Sequence, residues 1–307
     1  MASAPPALEG LVRLPDGRRL AWSSAGPPDG LPVVYLHAAI GTPLRASVSL
    51  HALTNRLNVR HIAVSRPGFG QSDACPGRRL VDFTADIERL ADRLRLGRFA
   101  VIGVSAGGPY AIACAHALGD RVPVVAAVSS LSPLGPPHAG RAMPAHLRLA
   151  LRVLVRHPHL AERAGGSLLR FLECHPRAVA RLARTGARGS DRDLLAAEDV
   201  GGAAVESFLA AAGGGVRGMI DDYVICCSSW GFDPGDVRGE VHVWHGEQDR
   251  FVPVEQARAL ARALPCCRSY FDADDGHFFF QRRLAQVLEE LVAATQRLEP
   301  AIDEVAA

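Results

Sequence analysis

Gly103-Val104-Ser105-Ala106-Gly107-Gly108 places a serine between small residues two positions before and two after it. The apolar, β-branched run Phe99 to Val104 precedes it and a stretch that reads as a helix follows from Ala106. A serine in a strand-to-helix elbow takes strained backbone angles, and only small neighbours at those spacings let the chain turn so tightly. The turn would lift the Ser105 hydroxyl above a sheet edge and set it at the positive end of the helix, where backbone N–H groups can receive a developing oxyanion. Without strand before and helix after, the same spacing describes an ordinary glycine-rich loop. The chemistry on offer is nucleophilic attack by a hydroxyl.

A serine is a poor nucleophile alone and needs a base, and the base needs a group to orient it. His277, in Asp274-Asp275-Gly276-His277, follows the last expected strand. Asp249, in His245-Gly246-Glu247-Gln248-Asp249, follows the expected strand Glu240 to Trp244. The chain order is Ser105, Asp249, His277, with all three on loops at the carboxyl edge of a sheet, where open α/β sheets bind ligands. Asp233, Asp236, Asp274 and Asp275 compete for the orienting role but read as solvated turn residues, and Asp221-Asp222 as the start of a helix. His37 and His245 precede strand-end loops and are expected to brace them, whereas His138, His146, His157, His159 and His175 are expected at exposed positions. With no H-x-x-x-H or H-E-x-x-H spacing, no metal is expected. Gly41, Gly68 and Gly70 read as turn residues, since no G-x-G-x-x-G opens a helix after the first strand. Cys114 reads as packing, and no cofactor is expected.

The elements that must hold these residues alternate between short β-like runs and helix-period stretches, the pattern of βαβ units on a mostly parallel sheet. Leu11 to Leu14 and Arg19 to Ser23 form an opening hairpin across Pro15-Asp16-Gly17, and Pro32 to Leu36 and Val59 to Ser65 are buried strands with a helix between them over Leu44 to Leu57. Phe83, Ile87, Leu90 and Leu94 make one stripe of an amphipathic helix that Gly97 ends. Phe99 to Val104 and Val122 to Ser130 continue the strands. Past Pro133, Pro136, Pro137 and Pro144 the texture changes to arginine-rich helical segments from His146 to Arg184, then to Gly201-Gly202 and Gly213-Gly214-Gly215. Strand pattern returns at Glu240 to His245, followed by a helix Val254 to Leu264, a strand Arg268 to Phe271 and a last helix Leu284 to Leu298.

Composition narrows the classes. Of 307 residues 48% are apolar and 21% charged, the balance of a globular protein; a chain of this size buries roughly 75% of its unfolded surface and needs no staple. The net charge of +2 gives no footprint for nucleic acid or an anionic membrane. No lysine occurs, so all 34 basic residues are arginine, which excludes a Schiff-base lysine, a P-loop lysine and a Ser/Lys dyad. The 7 cysteines include two adjacent pairs and no C-x-x-C, which suits reduced thiols in a cytoplasm. Neither a signal peptide nor an 18-residue apolar run is present, so the expected localisation is cytoplasmic.

Five ordered segments resemble the α/β-hydrolase superfamily: His37-Ala38-Ala39-Ile40-Gly41-Thr42, Ser65-Arg66-Pro67-Gly68-Phe69-Gly70-Gln71-Ser72, the elbow, His245 to Pro253 with Asp249, and Gly276-His277. The resemblance covers nearly the whole chain outside the middle stretch. It implies an α/β fold with a mostly parallel eight-stranded sheet flanked by helices and a helical cap inserted after the sixth strand. The interruption of the strand–helix alternation marks 133–232 as that cap, a helical lid, between core parts 1–132 and 233–307. Ser105 would be the nucleophile, His277 the general base and acid, and Asp249 the carboxylate that fixes the His277 tautomer. The N–H of Ala106 and that of Ala39 or Ala38 would form the oxyanion hole, and His37, Trp230 and Phe278 are the candidates to contact substrate. The family's common His-Gly pair reads His37-Ala38 here, serine stands where dehalogenases and epoxide hydrolases carry aspartate, no His-Gly-Gly-Gly run occurs, and the elbow lacks the Gly-Gly-Ser-Trp-Gly frequent in proline-iminopeptidase-like members. The expected activity is a carboxylesterase-like serine hydrolase acting on an ester, thioester or related acyl bond of a small organic molecule. The alternatives are a lyase, acyltransferase or cyclase on the same triad, or a binding protein. The sequence does not set the oligomeric state, and a homodimer is allowed.

Overall fold

A computed structural model describes residues 8–39, 48–133, 190–196 and 216–298, together with isolated positions between 149 and 167. The chain opens with β1 (Leu8–Arg13), β2 (Arg19–Ala25), β3 (Leu31–Leu36), α1 (Val48–Arg56) and β4 (Val59–Val64). It continues through α2 (Asp82–Arg93), β5 (Ala100–Val104), α3 (Gly107–Leu118) and β6 (Val124–Val128). Between β6 and β7 the described residues include α4 (Ser190–Ala196) and α5 (Arg217–Cys227). β7 (Glu240–Gly246), α6 (Val254–Ala263), β8 (Cys267–Asp272) and α7 (Phe280–Leu298) complete it. One eight-stranded sheet runs β1-β2-β4-β3-β5-β6-β7-β8. β1 and β2 pair antiparallel, as do β2 and β4, and every pairing from β4–β3 to β7–β8 is parallel.

The central strands are continuous apolar runs because helices cover both faces. Along β3, Val34 and Leu36 join the face that packs on Phe83, Ile87 and Leu90 of α2 and on α3, while Val33 and Tyr35 join Val287, Leu288 and Leu291 of α7 on the other. Each such side chain removed from water contributes about 1.5–3 kcal/mol. Among the described residues, no helix is long and apolar enough to cross a membrane.

Several boundaries differ from the sequence expectation. α2 ends at Arg93, not at Gly97: Arg95 takes φ +57°, its N–H reaches Asp92 O at 3.1 Å and Leu96 N–H reaches Ala91 O at 2.8 Å. That is the reverse-turn cap usually left to glycine. α7 begins at Phe280, one turn before Leu284. α5 begins at Arg217, so Asp221-Asp222 lie inside the helix and not at its start. Ile40-Gly41-Thr42, Leu44 to Ser47, the proline cluster Pro136, Pro137 and Pro144, the glycines 201–202 and 213–215 and most of His146 to Arg184 lie outside the described residues, as do His138 and His175.

Candidate active site

β5 ends at Val104 and α3 starts at Gly107, so Ser105 and Ala106 make the whole turn. Ser105 holds φ +53°, a left-handed conformation that costs a side-chain-bearing residue about 1–3 kcal/mol unless its surroundings enforce it. They do. A Cβ on Gly103 would overlap the carbonyl of Gly107, one on Gly107 the carbonyl of Leu36, and one on Gly108 the side chain of Ser130. The Ser105 N–H donates to Val128 O at 2.8 Å, and its carbonyl accepts from Gly108 N–H at 3.0 Å and Leu131 N–H at 3.2 Å.

Asp249 stands between β7 and α6 with its carboxylate buried. Its Oδ1 accepts the N–H groups of Phe251 and Val252, both at 2.8 Å, and its Oδ2 lies 2.7 Å from His277 Nδ1. Burial opposes its negative charge, but the charge and hydrogen bond of His277 outweigh that and hold its pKa below the usual carboxylate value. Conversely, burial works against a charged imidazole at His277, yet Asp249, by charge and hydrogen bond, and then the charge of Asp191 raise the pKa of that ring. His245 braces the loop, with Nε2 2.8 Å from Val252 O and 3.4 Å from Asp249 Oδ2. Burial lowers its pKa, so it stays neutral.

His277 follows β8. Its backbone carbonyl accepts from Ser129 Oγ at 3.0 Å, and Ser129, itself at φ +45°, donates its N–H to Trp244 O at 2.9 Å. Val128 and Ser129, at the end of β6, therefore hold the elbow on one side and the histidine loop on the other. The rings of Phe251 and Phe278 each lie 5.3 Å from the imidazole. Asp275, expected as a solvated turn residue, is buried and held by Arg282 and Arg283, whereas Asp274 is exposed.

Behind the Ala38-Ala39 segment, His37 is fully buried. Its Nε2 accepts the N–H of Arg66 at 3.2 Å, so its Nδ1 carries the proton and donates to Ala38 O at 2.7 Å. Burial first, and the charge of Arg66 second, keep the ring neutral. The Arg66 guanidinium donates in turn to His37 O. Because a trans peptide points its N–H opposite its C=O, pinning the carbonyls of His37 and Ala38 fixes the directions of the Ala38 and Ala39 N–H groups. Arg66 is anchored on Asp222 of α5, with Nη2 2.6 Å and Nε 2.8 Å from Oδ2. Asp222 Oδ1 accepts from Arg78 Nη2 at 2.6 Å and from Tyr110 OH at 2.9 Å. All of these side chains are essentially buried, and two arginines share one carboxylate. α5 lies close enough that a Cβ on Gly218 would crowd the Gly68 backbone.

Of the other residues singled out in the sequence, Ala106 and Ala39 are buried and Ala38 is half-buried. Trp230 is buried with its indole N–H on Cys226 O at 3.0 Å, and Phe278 is half-buried beside His277. The sequence reasoning missed Ser129, Asp191, Arg66 and Asp222. Arg66 carried a signal, sitting inside the Ser65 to Ser72 segment; the other three did not.

The family model described as "Alpha/beta hydrolase family" matches residues 33–290. The proline iminopeptidase of Neisseria gonorrhoeae is 30% identical over 120 residues, which is 38% of this chain and 38% of that relative. The match therefore spans well under half of the relative's length. Among solved structures, a bromoperoxidase from Bacillus anthracis superposes with a TM-score of 0.71 at 19% identity, covering 94% of this chain and 99% of that one. A thermophilic esterase from Thermogutta terrifontis superposes with a TM-score of 0.69 at 20% identity, covering 96% and 100%.

Proposed function

The chain belongs to the alpha/beta-hydrolase family, and from that premise we propose that it is a serine hydrolase cleaving an ester, thioester or related acyl bond of a small organic substrate through an acyl-enzyme. The observation that carries this is the 2.7 Å hydrogen bond between Asp249 and His277 on the sheet edge onto which the strained Ser105 turn opens. An imidazole whose Nδ1–H is held by a carboxylate presents Nε2 as the acceptor, which is the arrangement an attacking serine requires.

Ser105 Oγ attacks the acyl carbon as His277 Nε2 takes its proton, and Asp249 stabilises the imidazolium that forms. The N–H of Ala106 and that of Ala39 or Ala38 receive the oxyanion, with the two-arginine cluster behind them adding positive charge to the region. His277 returns the proton to the leaving group, which departs and leaves the acyl group on Ser105. Water, deprotonated by His277, then releases the acid and restores the serine. In this account the segment 133–232 is a lid, with its α5 packed behind the Ala38-Ala39 segment. The partial match to a proline iminopeptidase is in keeping with a hydrolytic enzyme, and the bromoperoxidase and esterase share the fold without selecting a substrate.

Turnover of a panel of p-nitrophenyl and thioester substrates by wild type and Ser105→Ala tests the proposal. Hydrolysis that disappears with the hydroxyl is expected, and hydrolysis that survives would end it.

A further inference from the structure

The amides of Gly276, His277 and Phe278 converge on the first two residues of α4. Gly276 N–H donates to Ser190 Oγ at 3.0 Å, His277 N–H to Asp191 Oδ2 at 2.6 Å and Phe278 N–H to Asp191 Oδ1 at 2.8 Å. Asp191 is 2% exposed. Its carboxylate also occupies the place where a Cβ on Gly276 would be, so the Gly276-His277 pair is shaped around it. A buried carboxylate is costly unless its oxygens are taken up by donors, and here both are. Burial raises its pKa, and the two N–H groups offset only part of that.

We propose that Asp191 is the positioning residue of the base: by clamping consecutive backbone N–H groups at His277 and Phe278, it fixes the Cα–Cβ direction from which the imidazole reaches Asp249. This deepens the function proposed above and rests on His277 being the base. Asp249 fixes the ring at Nδ1 only, and a ring held at one atom still swings if the peptide beneath it rotates. Asp191 removes that freedom. It comes from α4, between β6 and β7, so that helix sets the geometry of the base.

The groups facing His277 are Asp249 from the β7–α6 loop, Asp191 from α4 and, across Asp249, the neutral His245 of β7. Removing the Asp191 charge leaves a lower pKa at His277, so the acid limb of kcat/KM moves to lower pH; a residue that only packs would not move it. Asp191→Asn, Asp191→Ala and His277→Ala are compared with wild type by ester hydrolysis across pH and by amide hydrogen exchange over residues 273–280. Asp191→Asn is expected to lower kcat by roughly tenfold to a hundredfold with KM little changed, as for other residues that orient a reacting group. The acid limb should shift downward, and Asp191→Ala should speed exchange at 276–278. An Asp191→Asn enzyme with kcat within about twofold of wild type and an unmoved acid limb would overturn the proposal. An active His277→Ala would instead overturn the base itself, and the two failures are told apart because in the first His277→Ala is inactive.

Discussion

Asp249 Oδ2 sits 2.7 Å from His277 Nδ1 while Asp249 Oδ1 takes two backbone N–H groups, so the carboxylate is oriented before any substrate arrives. Replacing it by asparagine keeps the shape, but the amide oxygen stays with the two backbone N–H groups and the NH2 turns to the ring, which favours the wrong tautomer. Asp249→Asn is therefore expected to cut kcat by about 10²–10⁴-fold with KM little changed, as read by steady-state ester hydrolysis. A decrease below about tenfold would mean that the carboxylate does not orient the base.

The pH dependence follows from the same pair. A protonated imidazole cannot accept the serine proton, so kcat/KM falls as pH drops through the His277 pKa, which Asp249 and Asp191 raise against the effect of burial. The acid limb should lie above the usual histidine value and move down in Asp249→Asn. In stability the signs are opposite for the two partners. The raised His277 contributes stability that is present below its unfolded pKa and lost as pH rises through its folded one. The lowered Asp249 contributes stability present above its unfolded pKa and lost as pH falls through its folded one. Urea unfolding of wild type and Asp249→Asn against pH reads both.

The buried cluster behind the Ala38-Ala39 segment predicts a large stability effect. Asp222→Ala leaves Arg66 and Arg78 buried without their shared carboxylate, at an expected cost of about 3–5 kcal/mol. Chemical denaturation measures it, and a cost under about 1 kcal/mol would show that water or other acceptors replace Asp222. Where the protein stays folded, activity should fall as well, because Arg66 holds the His37 carbonyl.

At the elbow, Gly103→Ala forces a methyl group into the Gly107 carbonyl. Overpacking of this kind costs about 1–3 kcal/mol or more, and the expected result is a lower unfolding midpoint with activity lost disproportionately. Gly97→Ala, where a Cβ meets nothing within 4 Å, is the matched control and should be nearly silent.

Much of the sheet is legible in the sequence because strands covered on both faces are written as uninterrupted apolar runs, as at Ala100–Val104 and Val124–Val128. Ser105, Asp249 and His277 stand out because each follows a strand in a short, recognisable segment, and the hydrogen bond between Asp249 and His277 joins two of them. Asp191 leaves no trace because 86 positions separate it from His277 and one acidic residue in a polar stretch resembles any other. Asp222 reads as a helix start because a carboxylate buried mid-helix is written in sequence the same way as one in solvent; only Arg66 and Arg78, far away in the chain, reveal the difference. Gly97 reads as the helix stop in place of Arg95 because a left-handed cap favours glycine without requiring it.

The most direct test of the central claim is the intact mass of the protein after treatment with a fluorophosphonate, with Ser105→Ala and His277→Ala alongside. A single stoichiometric adduct on wild type that both substitutions abolish is the predicted result. A folded wild-type protein that takes up no adduct, or a Ser105→Ala protein that still does, would contradict an activated serine at this elbow.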